Sequence, residues 1–279
     1  MAIVNVTPDS FATHTLHEVL TSVASTGGSE GVWVKRSIEH AASQLQAGAH
    51  LLDIGAESTR PGAAPVPLEE EWARLRPVLE ELVTWGVPIS VDTYKPEIMQ
   101  RSLDLGVDII NDIWALRQSN AMEVVSAYGC GVCLMHMHAD PQTMQVSPMV
   151  GQALPQVCEF LSERVSAAIA HGIDASRLVL DPGIGFGKTV DQNFELHKSQ
   201  GTLNLKFQPL PFLVGWSRKS SLGAVTGLGV EERVGASVVA AVLAMERGAK
   251  VVRVHDVAPT MEGLKVWLHA SGWAHQVQS

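Results

Sequence analysis

Arg177-Leu-Val-Leu-Asp181-Pro-Gly-Ile-Gly-Phe-Gly-Lys188-Thr189 is a short apolar run that stops at a carboxylate, turns through glycines and gives way to a helical pattern from Val190. The same unit recurs along the chain. Apolar runs at Ala2–Val6, Leu51–Ala56, Pro88–Tyr94, Ile109–Ile113, Gly131–Met137, Arg177–Gly183, Pro211–Ser217 and Val251–Val257 have the length of strands. At or near their ends stand Asn5, Asp53, Asp92, Asn111, His136, Asp181, Ser217 with Arg218 and Lys219, and Arg253 with His255. Between the runs, Lys35–Ala47, Leu68–Trp85, Pro96–Leu105, Ala121–Tyr128, Gln156–His171, Val190–Thr202, Glu231–Arg247 and Pro259–Ala270 space their apolar residues near a helical period. Unbroken alternation of strand and helix points to a parallel sheet. An open doubly wound sheet shares that alternation. Eight units with polar strand ends favour a closed (β/α)8 TIM barrel of class α/β, whose strand C-termini converge on one catalytic face.

The bulk numbers fit this reading. A chain of 279 residues with 46% hydrophobic and 18% charged residues suits one barrel domain spanning residues 1–279. A formal charge of −9 argues against nucleic acid or an anionic membrane as the main partner, so clustered cations carry more information than the total. No apolar run reaches membrane-spanning length, and no leader pattern opens the sequence, so a cytoplasmic protein is expected. Three segments that follow strands break the rhythm: an extended Ser/Thr/Gly-rich loop over 12–33, Glu57–Pro67 and Ala139–Pro155. Loops of this length on the catalytic rim are candidate lids or binding loops.

Several motifs narrow the chemistry. The stretch Asp181–Thr189 invites a nucleotide-binding reading, but a phosphate-cradling G-x-x-x-x-G-K-[ST] loop needs glycine at the place of Pro182. Its glycines instead let backbone approach a flat ligand, and Asp181 can accept two N–H bonds from a planar amino-heterocycle. Ser217-Arg218-Lys219-Ser220-Ser221 and Arg253-Val-His255 gather cations and hydroxyls suited to a phosphate or a ring carbonyl. Asn5 is a neutral oxygen suited to hydrated Mg²⁺. Cys130-Gly-Val-Cys133 reads as structural thiols rather than a metal or redox site, because Cys133 and His136 fall on opposite faces of a strand.

Together, Met1–Phe11, Asp53–Ala63, Ser90-Val-Asp-Thr93, Asn111-Asp112, Leu134-Met-His136, Asp181–Lys188, Ser217–Ser220 and Arg253–Val257 resemble, in order, the motif series of the dihydropteroate synthase family. The resemblance implies a pterin-binding barrel. It would condense 6-hydroxymethyl-7,8-dihydropterin pyrophosphate with 4-aminobenzoate, giving 7,8-dihydropteroate and pyrophosphate. It assigns Asp92, Asn111, Asp181 and Lys219 to the pterin, with Met135 and Phe186 as walls. It assigns Asn5, Arg253 and His255 to the pyrophosphate and its Mg²⁺, with Asn5 as the metal residue. It assigns Thr59, Arg60, Pro61, Phe11 and Ser217 to the aminobenzoate, with Asp9 and Ser10 in the adjoining loop. Asp92, Lys219, Arg253 and His255 would be catalytic. The resemblance also implies inhibition by sulfonamides and a homodimer. One departure stands out: Ala12-Thr-His-Thr15 replaces the family's usual Ser-Asp-Gly-Gly, so a pterin-binding protein with reduced catalysis is the alternative.

Overall fold

The computed structural model describes residues 1–6, 29–58, 63–141, 143–144 and 146–272. The chain runs β1 (Ala2–Asn5), α1 (Ser29–Gln46), β2 (Leu52–Gly55), α2 (Leu68–Leu82), β3 (Ile89–Asp92), α3 (Pro96–Asp104), β4 (Ile109–Asp112) and α4 (Ala121–Ser126). It continues β5 (Gly131–Met135), α5 (Ala153–Ala170), β6 (Leu178–Asp181), α6 (Val190–Lys198), α7 (Gln200–Phe207) and β7 (Leu213–Val214), then α8 (Ser220–Thr226), α9 (Val234–Glu246), β8 (Val251–Val252) and α10 (Val257–Ala270). β1 to β6 form one parallel sheet in sequence order, and β7 pairs with β8. Parallel bridges between Leu180 and Phe212 and between Ala2 and Val254 join the two pieces into a closed ring. The expected (β/α)8 barrel is therefore the observed one, with every strand C-terminus on one rim.

Local chemistry explains the element ends. Glu69, Glu70 and Glu71 occupy the first turn of α2, where the helix dipole favours negative charge. The chain leaves α2 through a 3₁₀ turn at Val83–Trp85 and stops at Gly86, whose φ of 68° is left-handed. α6 starts on a reciprocal cap, Thr189 accepting from the Gln192 backbone while the Gln192 side chain accepts from Thr189 N–H. The strands are buried on both faces, as helix-covered parallel strands must be.

Four boundaries differ from the sequence reading. α1 already begins at Ser29, so the last residues of the loop expected over 12–33 are helical. The single helix expected over 190–202 breaks at Ser199 into α6 and α7, where Ser199 and Gly201 are weak helix formers. α8 falls in a stretch read only as a cation-rich motif. β7 and β8 shrink to two residues each, with single bridges at Phe212 and Val254 continuing the pairing to β6 and β1, and Ser217, Lys219, Arg253 and His255 follow them. No described helix is long and apolar enough to cross a membrane.

The core has two parts. The larger fills the space between strands and helices, with Leu52, Ile54, Ile89, Ile110, Leu134 and Leu180 fully buried. A smaller cluster of Ile113, Met135, Met137, Met144 and Phe186, with Tyr94 and Trp114 against it, forms an apolar wall of residues that follow β3 to β6.

Candidate active site

Residues of β2, β3 and β4 meet in the barrel mouth, and a guanidinium from beyond β8 joins them. Arg253, just past β8, donates from Nε to Asp53 Oδ2 at 2.6 Å and from Nη2 to Asp92 Oδ2 at 2.7 Å. Asp53 is wholly buried and also accepts from Ser90 Oγ at 2.6 Å and Asn111 Nδ2 at 3.2 Å. Asp92, Asn111 and Arg253 thus belong to one hydrogen-bonded unit, although Arg253 lies 200 residues from Asp53 in sequence. Burial lifts the Asp92 carboxyl to about 7; Arg253 opposes the rise and Asp53 adds to it. Asp181 is also raised by burial and held down by a 2.7 Å bond from Gly183 N–H and by Lys219, Lys188 and Arg253.

Three oxygens carried by buried residues of the barrel mouth make no hydrogen bond among the described residues: Asp92 Oδ1, Asn111 Oδ1 and Asp181 Oδ2. The Lys219 ammonium sits 4.1 Å from the centre of the Phe186 ring, and Phe186 and Met135 lie in the same small apolar cluster. An acceptor-rich floor beside an apolar wall and a cation suits a flat ring with an N–H-rich edge.

The rim carries Ser217 and His255. Ser217 Oγ accepts from His255 N–H at 3.1 Å and lies 3.0 Å from His255 Nδ1. Burial, with Arg253 and Arg218 nearby, lowers His255 to about 3, so the ring is neutral. When Ser217 Oγ donates to Nδ1, the ring proton sits on Nε2. Asn5 is half-buried at the end of β1, and its side chain makes no hydrogen bond among the described residues. That single amide oxygen suits a hydrated Mg²⁺, which keeps several waters and accepts one or two protein oxygens. Among the described residues no cluster of three His, Cys, Asp or Glu could hold a metal by itself.

One sequence reading needs correction. Arg218 is not available to an anion: Nε and Nη2 bind Asp256 at 3.0 and 2.8 Å, and Nη1 binds Glu231 at 2.7 Å. Arg253 and His255 flank the bridge at Val254; Arg253 reaches Asp53 and Asp92 while His255 binds Ser217. Thr59, Arg60, Pro61, Asp9, Ser10 and Phe11, and the departure at 12–15, lie outside the described residues. Cys133 lies in β5 opposite Asn111, and burial with Asp181 and Asp53 nearby holds its thiol protonated, whereas His136 packs against Phe160 of α5.

Sequence reasoning gave no role to Asp53 or Lys95. A carboxylate inside Leu51-Leu-Asp-Ile-Gly-Ala56 was the available signal, since a buried acid needs a partner. Lys95 pins both described ends of the β2–α2 connection: its ammonium binds Glu57, Glu71 and, at 2.7 Å, the carbonyl of Val66.

Comparison with known proteins gives the family. Residues 1–255 match the family described as pterin binding enzyme. Dihydropteroate synthase from Neisseria meningitidis serogroup B is 44% identical over 272 residues, covering 96% of this chain and 90% of that one. The crystal structure of Yersinia pestis dihydropteroate synthase with a sulfonamide drug complex aligns with a TM-score of 0.87 at 38% identity, covering 98% of this chain and 94% of that one. The Burkholderia cenocepacia enzyme complexed with 7,8-dihydropteroate aligns at 0.84 with 44% identity, covering 99% and 92%. The chain belongs to the dihydropteroate synthase family of pterin-binding enzymes.

Proposed function

We propose that this barrel mouth condenses 6-hydroxymethyl-7,8-dihydropterin pyrophosphate with 4-aminobenzoate to give 7,8-dihydropteroate and pyrophosphate. The observation that carries this reading is the set of three oxygens, on the buried residues Asp92, Asn111 and Asp181, without a hydrogen bond among the described residues. The pterin's amino and ring N–H groups supply the missing donors, and its face lies along Met135 and Phe186. Lys219 donates to the ring's acceptor edge.

The leaving pyrophosphate lies toward Asn5, Arg253 and His255. Arg253 has Nη1 left after its two ion pairs, and His255 donates from Nε2. Magnesium, when bound with the pyrophosphate, neutralises charge on the departing oxygens. As the methylene C–O bond breaks, positive charge develops on the pterinylmethyl group, and the ionised Asp92 stabilises it. The arylamine nitrogen then forms the C–N bond and loses a proton. Holding two substrates in line supplies much of the rate, so no covalent enzyme intermediate is required. Ser217, already bonded to His255, lies at the aminobenzoate end, where Thr59, Arg60, Pro61 and Phe11 are expected to complete the site with Asp9 and Ser10. Sulfonamides, which mimic the aminobenzoate, are expected to compete there.

The test is pyrophosphate release by the purified chain with both substrates and Mg²⁺. Release that needs all three and is suppressed by a sulfonamide supports the reading; a folded chain that releases none refutes it. The replacement at Ala12–Thr15 favours a second reading, pterin binding without turnover. Pterin-dependent thermal stabilisation without product distinguishes that case. We further infer that the chain acts in the cytoplasm and as a homodimer. Sedimentation equilibrium tests the homodimer.

A further inference from the structure

Lys188 closes the glycine motif in a place where a nucleotide-binding loop would aim a lysine at phosphate, yet it points back into its own loop. Only 2% of the residue is exposed. Its ammonium lies 2.7 Å from the carbonyl of Gly183, 3.1 Å from that of Phe186, 2.8 Å from His136 Nδ1 and 3.4 Å from the His136 carbonyl. The loop's own donors are equally engaged: Gly183 N–H binds Asp181 and Gly185 N–H binds Asn193 Oδ1 at 2.7 Å. The turn is thus wound around a buried cation rather than around an anion. Gly183 must be glycine here, since its φ is +67° and a Cβ would lie 1.7 Å from the His136 carbonyl oxygen.

We propose that Lys188 is a positioning residue for the pterin half of the site. This rests on the pterin reading above. Two groups assigned to the pterin hang from the caged turn. Asp181 is fixed through Gly183 N–H, and Phe186, whose carbonyl Lys188 holds, carries the ring over which Lys219 sits. An ammonium has three N–H groups for these four acceptors. A neutral amine has two and turns a lone pair toward an acceptor, so losing the proton opens the cage. The charged and titratable groups around Lys188 are His136 and His138 after β5, Asp181 on β6 and Lys219 after β7. His136 is held neutral by burial and by Lys188 itself, so its Nδ1 stays an acceptor. Burial and Lys219 lower Lys188 to about 7, against the pull of Asp181. Pterin affinity should therefore weaken as pH rises through that value. Aminobenzoate, on the far side of Ser217, should not sense the cage.

The experiment is calorimetric binding of the pterin pyrophosphate from pH 6 to 9, with the wild-type chain and Lys188→Met, at a temperature where both are folded by circular dichroism. Wild-type affinity should fall at least about tenfold across the range, the scale of one lost buried hydrogen bond. The variant should bind at least about tenfold more weakly at pH 6 and show no such fall. Its KM for aminobenzoate should stay within about twofold of wild type, where a general loosening of the barrel would shift both substrates together. Equal affinities at pH 6, parallel pH dependences or equal changes in both substrates overturn the proposal. If Lys188→Met does not fold, a wild-type affinity that is flat from pH 6 to 9 overturns it alone. Absence of pterin binding at every pH would instead sink the pterin reading.

Discussion

The two halves of the barrel mouth solve the same electrostatic problem in opposite ways. On the β2, β3, β4 and β8 side, buried carboxylates are balanced by a guanidinium, side chain to side chain, in the unit Asp53–Arg253–Asp92 with Asn111. On the β5 and β6 side, a buried ammonium is balanced by backbone carbonyls and one imidazole. Burial pushes Asp92 up and Lys188 down, and both arrive at about 7. The first half is a charge pair that keeps unfilled oxygens for a ligand. The second uses its polar groups on itself and serves to hold a shape.

The comparison can be broken most forcefully at Arg253. Arg253→Met strands two buried carboxylates, so a loss of about 3–5 kcal/mol in denaturant-unfolding stability is expected. Turnover should fall by about a thousandfold with it. A variant of wild-type stability would show that Asp53 and Asp92 need no counter-charge. Gly183→Ala attacks the other half through its backbone. It combines a left-handed φ with a Cβ 1.7 Å from a carbonyl oxygen, and should cost roughly 2–4 kcal/mol in the same measurement. Asp181→Ala bridges the halves. It should leave the barrel folded by circular dichroism and weaken pterin binding by about 2–3 kcal/mol, read by calorimetry.

A smaller, sharper effect lies in the pH profile. Asp92 must be ionised to stabilise developing positive charge, so kcat/KM for the pterin substrate should fall as pH drops below about 7. Asp53→Asn removes a like charge that raises Asp92, so this acid limb should move to lower pH by about one unit. A limb that stays in place assigns it to another group. The smallest effect is expected at Cys130, buried near the start of β5 and away from both halves. Cys130→Ser should leave turnover within about twofold of wild type, and a larger loss would give the C-x-x-C pair a role it has not been assigned.

Much of this arrangement is readable from the chain. Short apolar runs and period-3.6 patterns, with glycines after helices, located all eight strands and most helices, because strands buried on both faces are apolar throughout and helices buried on one face are apolar at that period. At element boundaries the reading failed. Ser199 divides a helix that periodicity joined, and β7 and β8 are two residues each, shorter than their apolar runs. Within the site, Asp92, Asn111, Asp181, Lys219, Arg253 and His255 were selected as polar groups at strand ends, and the barrel gathers them at its mouth. Arg218 passed the same criterion and is spent on Asp256 and Glu231, a pairing no spacing rule reveals.

The sequence alone determined that strands alternate with helices, that polar residues close the strands, and that the glycine motif lacks the spacing of a phosphate loop. Those properties are local, written in hydrophobic period and in the steric demands of glycine and proline. The tertiary structure decided which charges face which: Arg253 against Asp53 and Asp92, Lys188 against its own loop, His255 neutral against Ser217. Coulomb and desolvation energies depend on distances across the ring and on depth below the surface, and both exist only once the barrel has closed.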